Sequence, residues 1–301
     1  MGAWLHSAAM SVLPKISVVT PSFNSIHTIR ETIESVRQQN YPNVEHIVMD
    51  GGSKDGTVEV LKEYPHLRWV SEKDEGHYDA MNKGIQAATG DVIEILNSDD
   101  CLRPGALETV GRGFAEHPEW DAIFGDVVFV DGKSNEIYRR EEAIYDYDVM
   151  RFSRVGYVIH PALFVRKAVH GRLGLYRCDK FLNAGDFAFM MEMGRAKCRV
   201  GHVNALLVNY RYHEFGQSAD ERIVKNTMRE VNAICEEHGA PRGVRGRFLR
   251  AAYRAKRQFQ KLRYLGRCDL VPGTLMLRKH LKAKTSFASN IPPERFSTGK
   301  I

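Results

Sequence analysis

The first half of the chain repeats one order: a short apolar run, a polar turn, then a stretch with helical spacing. Ile16-Ser17-Val18-Val19-Thr20, Val44 to Met49, Arg68 to Val70, Val92 to Leu96 and Trp120 to Phe124 read as strands, because short runs rich in β-branched residues fit a buried pleat. Pro21 is expected to stop the first of them. Between the runs, Thr28-Ile29-Arg30-Glu31 is a capping-box pattern that opens a helix to about Gln38. Thr57 to Tyr64 reads as a short helix, and His77 to Ala88 places Ala80, Met81, Gly84, Ile85 and Ala88 on one face. Pro104 suits the start of the next helix. Strands alternating with helices predict an α/β fold with a mostly parallel sheet flanked by helices.

Sheets of this kind bind ligands outside the carboxyl ends of their strands. The residues expected there are Pro21-Ser22-Phe23-Asn24, Asp50-Gly51-Gly52-Ser53, Glu72 with Asp74, and Asn97-Ser98-Asp99-Asp100. Single polar ends are common as caps and turns, but four on one rim favour a ligand site. Acids held at a strand end suit Mg²⁺ or Mn²⁺, which prefer hard oxygen ligands. A divalent ion there bridges phosphate oxygens and stabilises a departing diphosphate. Asp100 also reads as a cap for the helix near Pro104, so both readings stand at this point.

Composition narrows the class. The 301 residues are 43% hydrophobic, enough for one substantial core, or for one core plus an appendage. No window approaches the roughly 18 apolar residues of a membrane-spanning helix. Met1 to Val12 lacks a basic n-region and a long apolar stretch, so a disordered leader over residues 1–13 is expected rather than a signal peptide. Cys101, Cys178, Cys198, Cys235 and Cys268 are scattered without a C-x-x-C pair. Reduced thiols in a cytoplasmic protein, with no thiolate metal site, follow from that spacing.

No G-x-G-x-x-G follows the first strand, and no G-x-x-x-x-G-K-[ST] occurs. Neither a dinucleotide-binding dehydrogenase nor a P-loop NTPase is supported. His213-Glu214 has no second His four residues on, which excludes a zincin helix. His160 sits in the apolar run Val158 to Val165 and reads as a satisfied core histidine. Ala184-Gly185-Asp186-Phe187-Ala188-Phe189 sets one acid ahead of a hydrophobic helical stretch. That acid is either a helix N-cap or a carboxylate whose aromatic neighbours raise its pKa toward a useful range.

Three stretches together resemble the family-2 glycosyltransferases of the GT-A fold. They are Ser17-Val18-Val19-Thr20-Pro21-Ser22-Phe23-Asn24, Val48-Met49-Asp50-Gly51-Gly52-Ser53-Lys54-Asp55-Gly56-Thr57, and Ala87-Ala88-Thr89-Gly90-Asp91 running into Leu96-Asn97-Ser98-Asp99-Asp100. Ser71-Glu72-Lys73-Asp74-Glu75-Gly76-His77-Tyr78-Asp79-Ala80-Met81-Asn82-Lys83-Gly84 is similar to the bacterial polysaccharide and glycolipid branch. The resemblance covers about residues 14–215 and implies a GT-A catalytic domain there; helical spacing and basic composition give residues 216–301 as a helical, basic extension. It implies an inverting, hexosyltransferase-type enzyme that moves a sugar from a nucleotide-diphosphate donor, a UDP-sugar first, to a glycan or lipid-linked acceptor. In that frame Asp50 accepts from the base, and Thr20, Pro21 and Asn24 shape the base and ribose pocket, largely through backbone. Glu72 and Asp74 bind donor hydroxyls or orient Lys83. Asn97 and Asp99 stand where the family has D-x-D. With its first acid replaced by Asn, Asp99 becomes the main metal ligand and Asp100 a second candidate. Asp186 matches the family's base, and His213 could approach the diphosphate. The competing reading is a degenerate transferase domain, its metal site weakened by Asn97, serving carbohydrate or membrane attachment.

Charge divides the chain unevenly. Residues 241–301 hold 16 Lys and Arg against Asp269 and Glu294; they contribute +14 to a net charge of +6, so residues 1–240 carry −8. Phe248, Ala252, Ala255, Phe259 and Leu262 fall at helical spacing, with Arg250, Arg254, Lys256, Arg257, Lys261 and Arg263 mostly elsewhere on the wheel. A basic amphipathic helix suits an anionic membrane surface, which implies a peripheral protein at the inner face of the plasma membrane. Such a stripe can equally pack on the catalytic domain. Nucleic acid is not an expected partner, because no recognition motif occurs and the acidic body repels phosphate.

Overall fold

Residues 13–212 and 220–266 are described in a computed structural model of the chain. The leader expected over residues 1–13, save Leu13, lies outside them, as do His213 and Cys268. The chain runs through β1 (Ile16–Ser22), α1 (Ile29–Arg37), β2 (Val44–Asp50), α2 (Thr57–Lys62), β3 (Arg68–Ser71), α3 (His77–Ala87) and β4 (Val92–Ile95). It continues through β5 (Cys101–Leu102), α4 (Ala106–Glu116), β6 (Ala122–Val130), β7 (Glu136–Arg140), α5 (Tyr147–Ser153) and a 3-10 turn at His160–Ala162. The last elements are β8 (Leu163–Arg166), α6 (Lys167–Leu173), α7 (Gly185–Arg195), β9 (Val200–Arg211), α8 (Glu221–Glu237) and α9 (Gly243–Leu265).

The strands form one sheet in the order β3-β2-β1-β4-β8-β6-β9-β5, with β7 paired to β6. The parallel character belongs to β3-β2-β1-β4, the half whose helical crossovers are legible in the sequence. Beyond β4 the sheet is mixed: β8 runs antiparallel to both β4 and β6, while β9 is parallel to β6. Successive strand residues point to opposite faces, so Val18 and Val19 serve different cores. Val19, Ile93 and Phe124 meet Met81 and Ile85 of α3, Met150 of α5, Phe187 and Met191 of α7 and Ile234 of α8. Val18, Val92, Ile123 and Phe164 meet Val36 of α1 and Leu107, Val110 and Phe114 of α4. Each such large side chain contributes about 1.5–3 kcal/mol on full burial. Helix α8 thus contributes Val231, Ile234 and Cys235 to the main core.

Three local expectations need correction. Pro21 does not stop β1, which continues to Ser22 with Pro21 opposite Met49 and Ser22 opposite Asp50. Ser22 O accepts from Gly51 N on the β2 side, whereas Val19 O accepts from Leu96 N on the β4 side. Pro21 therefore turns its missing N–H toward β4, whose strand has already ended, and no ladder bond is lost. The capping box does not form either: Thr28 makes no side-chain cap bond to α1, and Glu31 is taken up by an ion pair with Arg211. Pro104 lies ahead of the first residue of its helix, where Gly105 is the N-cap in a left-handed conformation.

Register positions the site. Ser22 lies opposite Asp50 and Asp50 opposite Ser71, so β1, β2 and β3 end level, and the loop after β4 starts beside them. Helix α3 crosses β1 closely at Gly84, where an added Cβ would stand 2.2 Å from Val19 Cγ1.

Candidate active site

Four loops leave the carboxyl ends of β1, β2, β3 and β4, and hydrogen bonds stitch them together. Asn24 adopts a left-handed backbone (φ 49°), a conformation Asn tolerates better than most residues. Its amide donates to Ser53 Oγ at 2.7 Å, and its Oδ1 accepts from Lys54 N at 3.1 Å. Ser25 Oγ meets Ser98 Oγ at 2.7 Å, tying the first loop to the fourth. Thr20 turns its side chain away from this rim. Its hydroxyl meets His46 Nε2 at 2.9 Å inside the sheet, where burial pushes the imidazole down to about 3 and keeps it neutral. Thr20 and Pro21 thus offer the rim only backbone.

Asp50 is buried and organises the second loop. Its Oδ2 accepts from Gly52 N at 3.1 Å, Ser53 N at 2.9 Å and Ser71 Oγ at 2.6 Å, and its Oδ1 accepts from Ser53 Oγ at 2.5 Å. Beside it, Asp50, Glu72, Asp74 and Lys83 line one cleft together with Met49, Val70 and Ala80. Lys83 Nζ lies 2.9 Å from Glu72 and 3.2 Å from Asp79, and these two hydrogen bonds push its pKa up. Asp74 Oδ1 accepts from Gly76 N at 3.0 Å, shaping the turn into α3. An added Cβ on Gly51 would stand 2.6 Å from Asp74 Oδ2, so glycine lets these two loops touch.

The fourth loop is built around Asp100, which is 1% exposed. Asn97 Nδ2 donates to its Oδ2 at 2.9 Å, and the Arg211 amide donates to its Oδ1 at 2.8 Å. Burial, with the Asp99 charge beside it, pushes the Asp100 carboxyl well up. Asp100 therefore neither caps α4 nor turns outward. It forms the inner brace of the loop, and Asp99 is the half-buried carboxylate that follows Asn97 and Ser98. Arg211 Nε donates to Asp99 O at 2.9 Å, while the same guanidinium reaches Glu31 of α1 and Ser134 Oγ beyond β6. Among the described residues no three His, Cys, Asp or Glu side chains group as a protein-only metal cage. What fits here is a hard cation held by the single Asp99 carboxylate, with the remaining coordination left to substrate oxygens and water.

Asp186 sits in the first turn of α7, where its Oδ1 accepts from Tyr78 Oη at 2.9 Å. Tyr78 belongs to the first turn of α3, so one bond links the acid of α7 to the loop carrying Glu72 and Asp74. The N-cap of α7 is Ala184, with no side-chain cap of its own. Glu230 of α8 instead braces the turn that leads into α7, accepting from Leu182 N at 3.2 Å, Asn183 N at 2.9 Å and Ala184 N at 2.8 Å. Asp186 is the second residue of the helix and not its N-cap. His160 is a core residue, as expected, with its Nε2 2.7 Å from Tyr176 Oη.

The structure thus brings Asp50, Glu72, Asp74 and Lys83 to one cleft, binds Asn24 and Asn97 into the adjoining loops and ties Asp186 to the α3 turn. Tyr78, Arg211 and Glu230 are the residues that sequence reasoning misses. Tyr78 lies inside a recognisable motif, but Arg211 and Glu230 act through contacts more than 40 positions away and leave no local signal.

The chain can now be set beside known proteins. The model of the family described as "Glycosyl transferase family 2" matches residues 17–174. An uncharacterized glycosyltransferase of Mycobacterium tuberculosis is 47% identical over 259 residues, 83% of this chain and 94% of that one. A PGL/p-HBAD biosynthesis glycosyltransferase of Mycobacterium bovis is 27% identical over 224 residues, 72% of this chain and 84% of its own length. Among solved structures, S. aureus TarS 1-349 in complex with UDP-GlcNAc shares the fold with a TM-score of 0.56 and 18% identity over 83% of this chain and 73% of that one. The chain spans 43% of a longer TarS structure (TM-score 0.57). Its sheet, its strand-end loops and these likenesses agree: the chain belongs to glycosyl transferase family 2.

Proposed function

We propose that this glycosyltransferase moves a sugar from a nucleoside-diphosphate donor, UDP-linked, onto a glycan or lipid-linked acceptor, with inversion, at the inner face of the plasma membrane. The observation that carries the reading is the joining of two parts of the chain. Asp50, Glu72 and Asp74 share a cleft with Lys83 of α3, Asp99 lies in the loop after β4, and Tyr78 ties Asp186 to the turn into α3. The TarS structure titled as a UDP-GlcNAc complex supports a nucleotide-sugar donor, and the relative named for PGL/p-HBAD biosynthesis supports work on a cell-surface product.

In this reading Thr20, Pro21 and Asn24 face the base and ribose through backbone, and Asp50 holds the Gly52–Ser53 turn against them. Glu72 and Asp74 meet donor hydroxyls, with Lys83 beside the diphosphate. The rim is rich in carboxylates and repels a diphosphate on its own. Asp99, in the loop that the Asn97–Asp100 bond and Arg211 shape, would hold Mn²⁺ or Mg²⁺, which when bound supplies neutralising charge to the leaving diphosphate. Asp186 takes the proton of the acceptor hydroxyl as its oxygen bonds to the anomeric carbon. The bond from that carbon to the diphosphate breaks on the opposite side, and its electron pair leaves with UDP.

Release of UDP from a panel of UDP-sugars, with and without Mn²⁺, tests the assignment. Asp99→Ala is expected to abolish metal-dependent release. Asp186→Asn should lower transfer by about 10²–10⁴-fold while UDP binding stays intact. Turnover of no donor in the presence of metal sinks the donor and metal assignment, and undiminished transfer by Asp186→Asn removes it as the base.

A further inference from the structure

Helix α9 is mounted on the body by its charged face. Arg257 pairs with buried Glu142 through two contacts, its Nε at 3.1 Å, and Lys261 approaches the same carboxylate at 3.7 Å. Lys256 Nζ and Gln260 Nε2 both reach Asp146 Oδ2 at 2.8 Å, while Asp146 Oδ1 caps α5 by accepting from Val149 N. Tyr253 packs on Phe152 of α5 at 4.7 Å between ring centroids. Even Lys261 is buried, at 3% exposure.

The opposite face is apolar and open. Val244 is 73% exposed, Phe248 71%, Phe259 65% and Leu262 52%, and Ala251, Ala252 and Ala255 are exposed among them. At ~100° per residue these seven positions fall within an arc of roughly 100°, with the clamp residues on the far side. A surface helix ordinarily buries its apolar stripe and shows its charges; α9 does the reverse. Exposed Arg245 and Arg263 flank one edge of the stripe, and Arg247 and Arg254 the other. Among the described residues these four arginines form no ion pair with a carboxylate. Gly243–Leu265 contains eight Lys and Arg and no acid.

We infer that this face of α9 lies in the interfacial layer of an anionic lipid bilayer, with the stripe at the acyl boundary and the flanking arginines on lipid phosphates. The inference rests on the peripheral-membrane reading above and names the surface responsible. Stripe and basic flanks together are what an interfacial helix requires. No helix among the described residues is long and apolar enough to cross a membrane, so α9 lies on the bilayer rather than through it. Charge selects the bilayer over a second copy of the chain, since pairing α9 with α9 sets cations against cations with no acid between them. Helix α9 packs on α5, and α5 packs on α7, the helix that carries Asp186. The acceptor side is therefore two helices from the lipid, which suits an acceptor carried on a lipid.

Sedimentation of the full chain with vesicles tests this. The parent should pellet with phosphatidylcholine vesicles containing phosphatidylglycerol and poorly with phosphatidylcholine alone. Phe248→Ser/Phe259→Ser should weaken binding at least tenfold, with an unchanged melting midpoint because both rings are exposed. Arg247→Gln/Arg254→Gln should weaken binding to the anionic vesicles about 25-fold, each arginine counting for roughly fivefold, and leave the neutral ones unaffected. Equal pelleting of the Phe variant and the parent overturns the inference. So does a stripe-dependent dimer in light scattering without vesicle binding. UDP release from soluble donor, measured on the same samples, stays at parent level in the Phe variant, so a failure here is separable from a failure of the sugar-transfer reading.

Discussion

Tyr78 and Asp186 meet at 2.9 Å, yet they lie 108 positions apart and on different helices. The bond does two things: it fixes the carboxylate rotamer, and it sets the distance from α7 to the loop with Glu72 and Asp74. Tyr78→Phe keeps the ring that packs 5.6 Å from Tyr176 and removes only the hydroxyl. A hydrogen bond to a charged group is worth about 1.5–3 kcal/mol, so kcat of Tyr78→Phe should fall roughly tenfold or more, with the donor KM little changed. A raised KM at constant kcat would show instead that Tyr78 serves donor binding. Asp50, Glu72 and Asp74 share one cleft, but the partners that hold the site's acids are not legible in the sequence. Asp186 ahead of a hydrophobic stretch reads as either a cap or a base; the fold places it in the first turn of α7, after the N-cap Ala184, while Glu230 of α8 holds the turn before the helix. Asp100, which reads in sequence as either a second metal candidate or a helix cap, is an internal brace in the fold.

At the level of elements, the N-terminal helices and parallel strands emerge from periodicity because each is locally self-consistent. The mixed half does not, since β7, β8 and β9 take their direction from pairing partners far along the chain. Strand β4 holds an anomaly that periodicity cannot show: Glu94, 0% exposed, has no hydrogen-bond partner for either oxygen among the described residues. Burial pushes its pKa well up, with the Asp100 charge adding to it. A carboxyl raised in the folded state stabilises the fold fully only below its ordinary pKa of about 4.3. That contribution is lost as pH rises toward the raised value. Glu94→Gln, neutral throughout, should therefore gain on the parent in melting midpoint as pH goes from 5 to 8. The gain should be several degrees, at ~1.4 kcal/mol per pH unit and a few °C per kcal/mol. Parallel melting curves would mean that Glu94 is ionised and paired in solution.

For the molecule as a whole, donor and metal should act on the global unfolding equilibrium together. Ligand at about 100 times its Kd adds ~2.7 kcal/mol, so UDP with Mn²⁺ should raise the melting midpoint by roughly 5–10 °C, and either alone by much less. Equal shifts from UDP with and without Mn²⁺ would show that Asp99 needs no cation to hold the nucleotide. The fold family is legible at this scale because four ordered strand-end clusters survive in one chain. The outward stripe of α9 is not, because a wheel gives a stripe's existence and only packing gives its direction. Arg211 carries a last consequence. The loop of Asn97 to Asp100 takes its shape from an amide and a guanidinium 111 and 112 positions downstream, on a strand that lies between β6 and β5. During synthesis, β1 to β4 leave the ribosome long before that strand exists. The nascent chain therefore carries the ends of β1 to β4 without a finished acidic loop, which can take its shape only once Arg211 of β9 has joined the sheet.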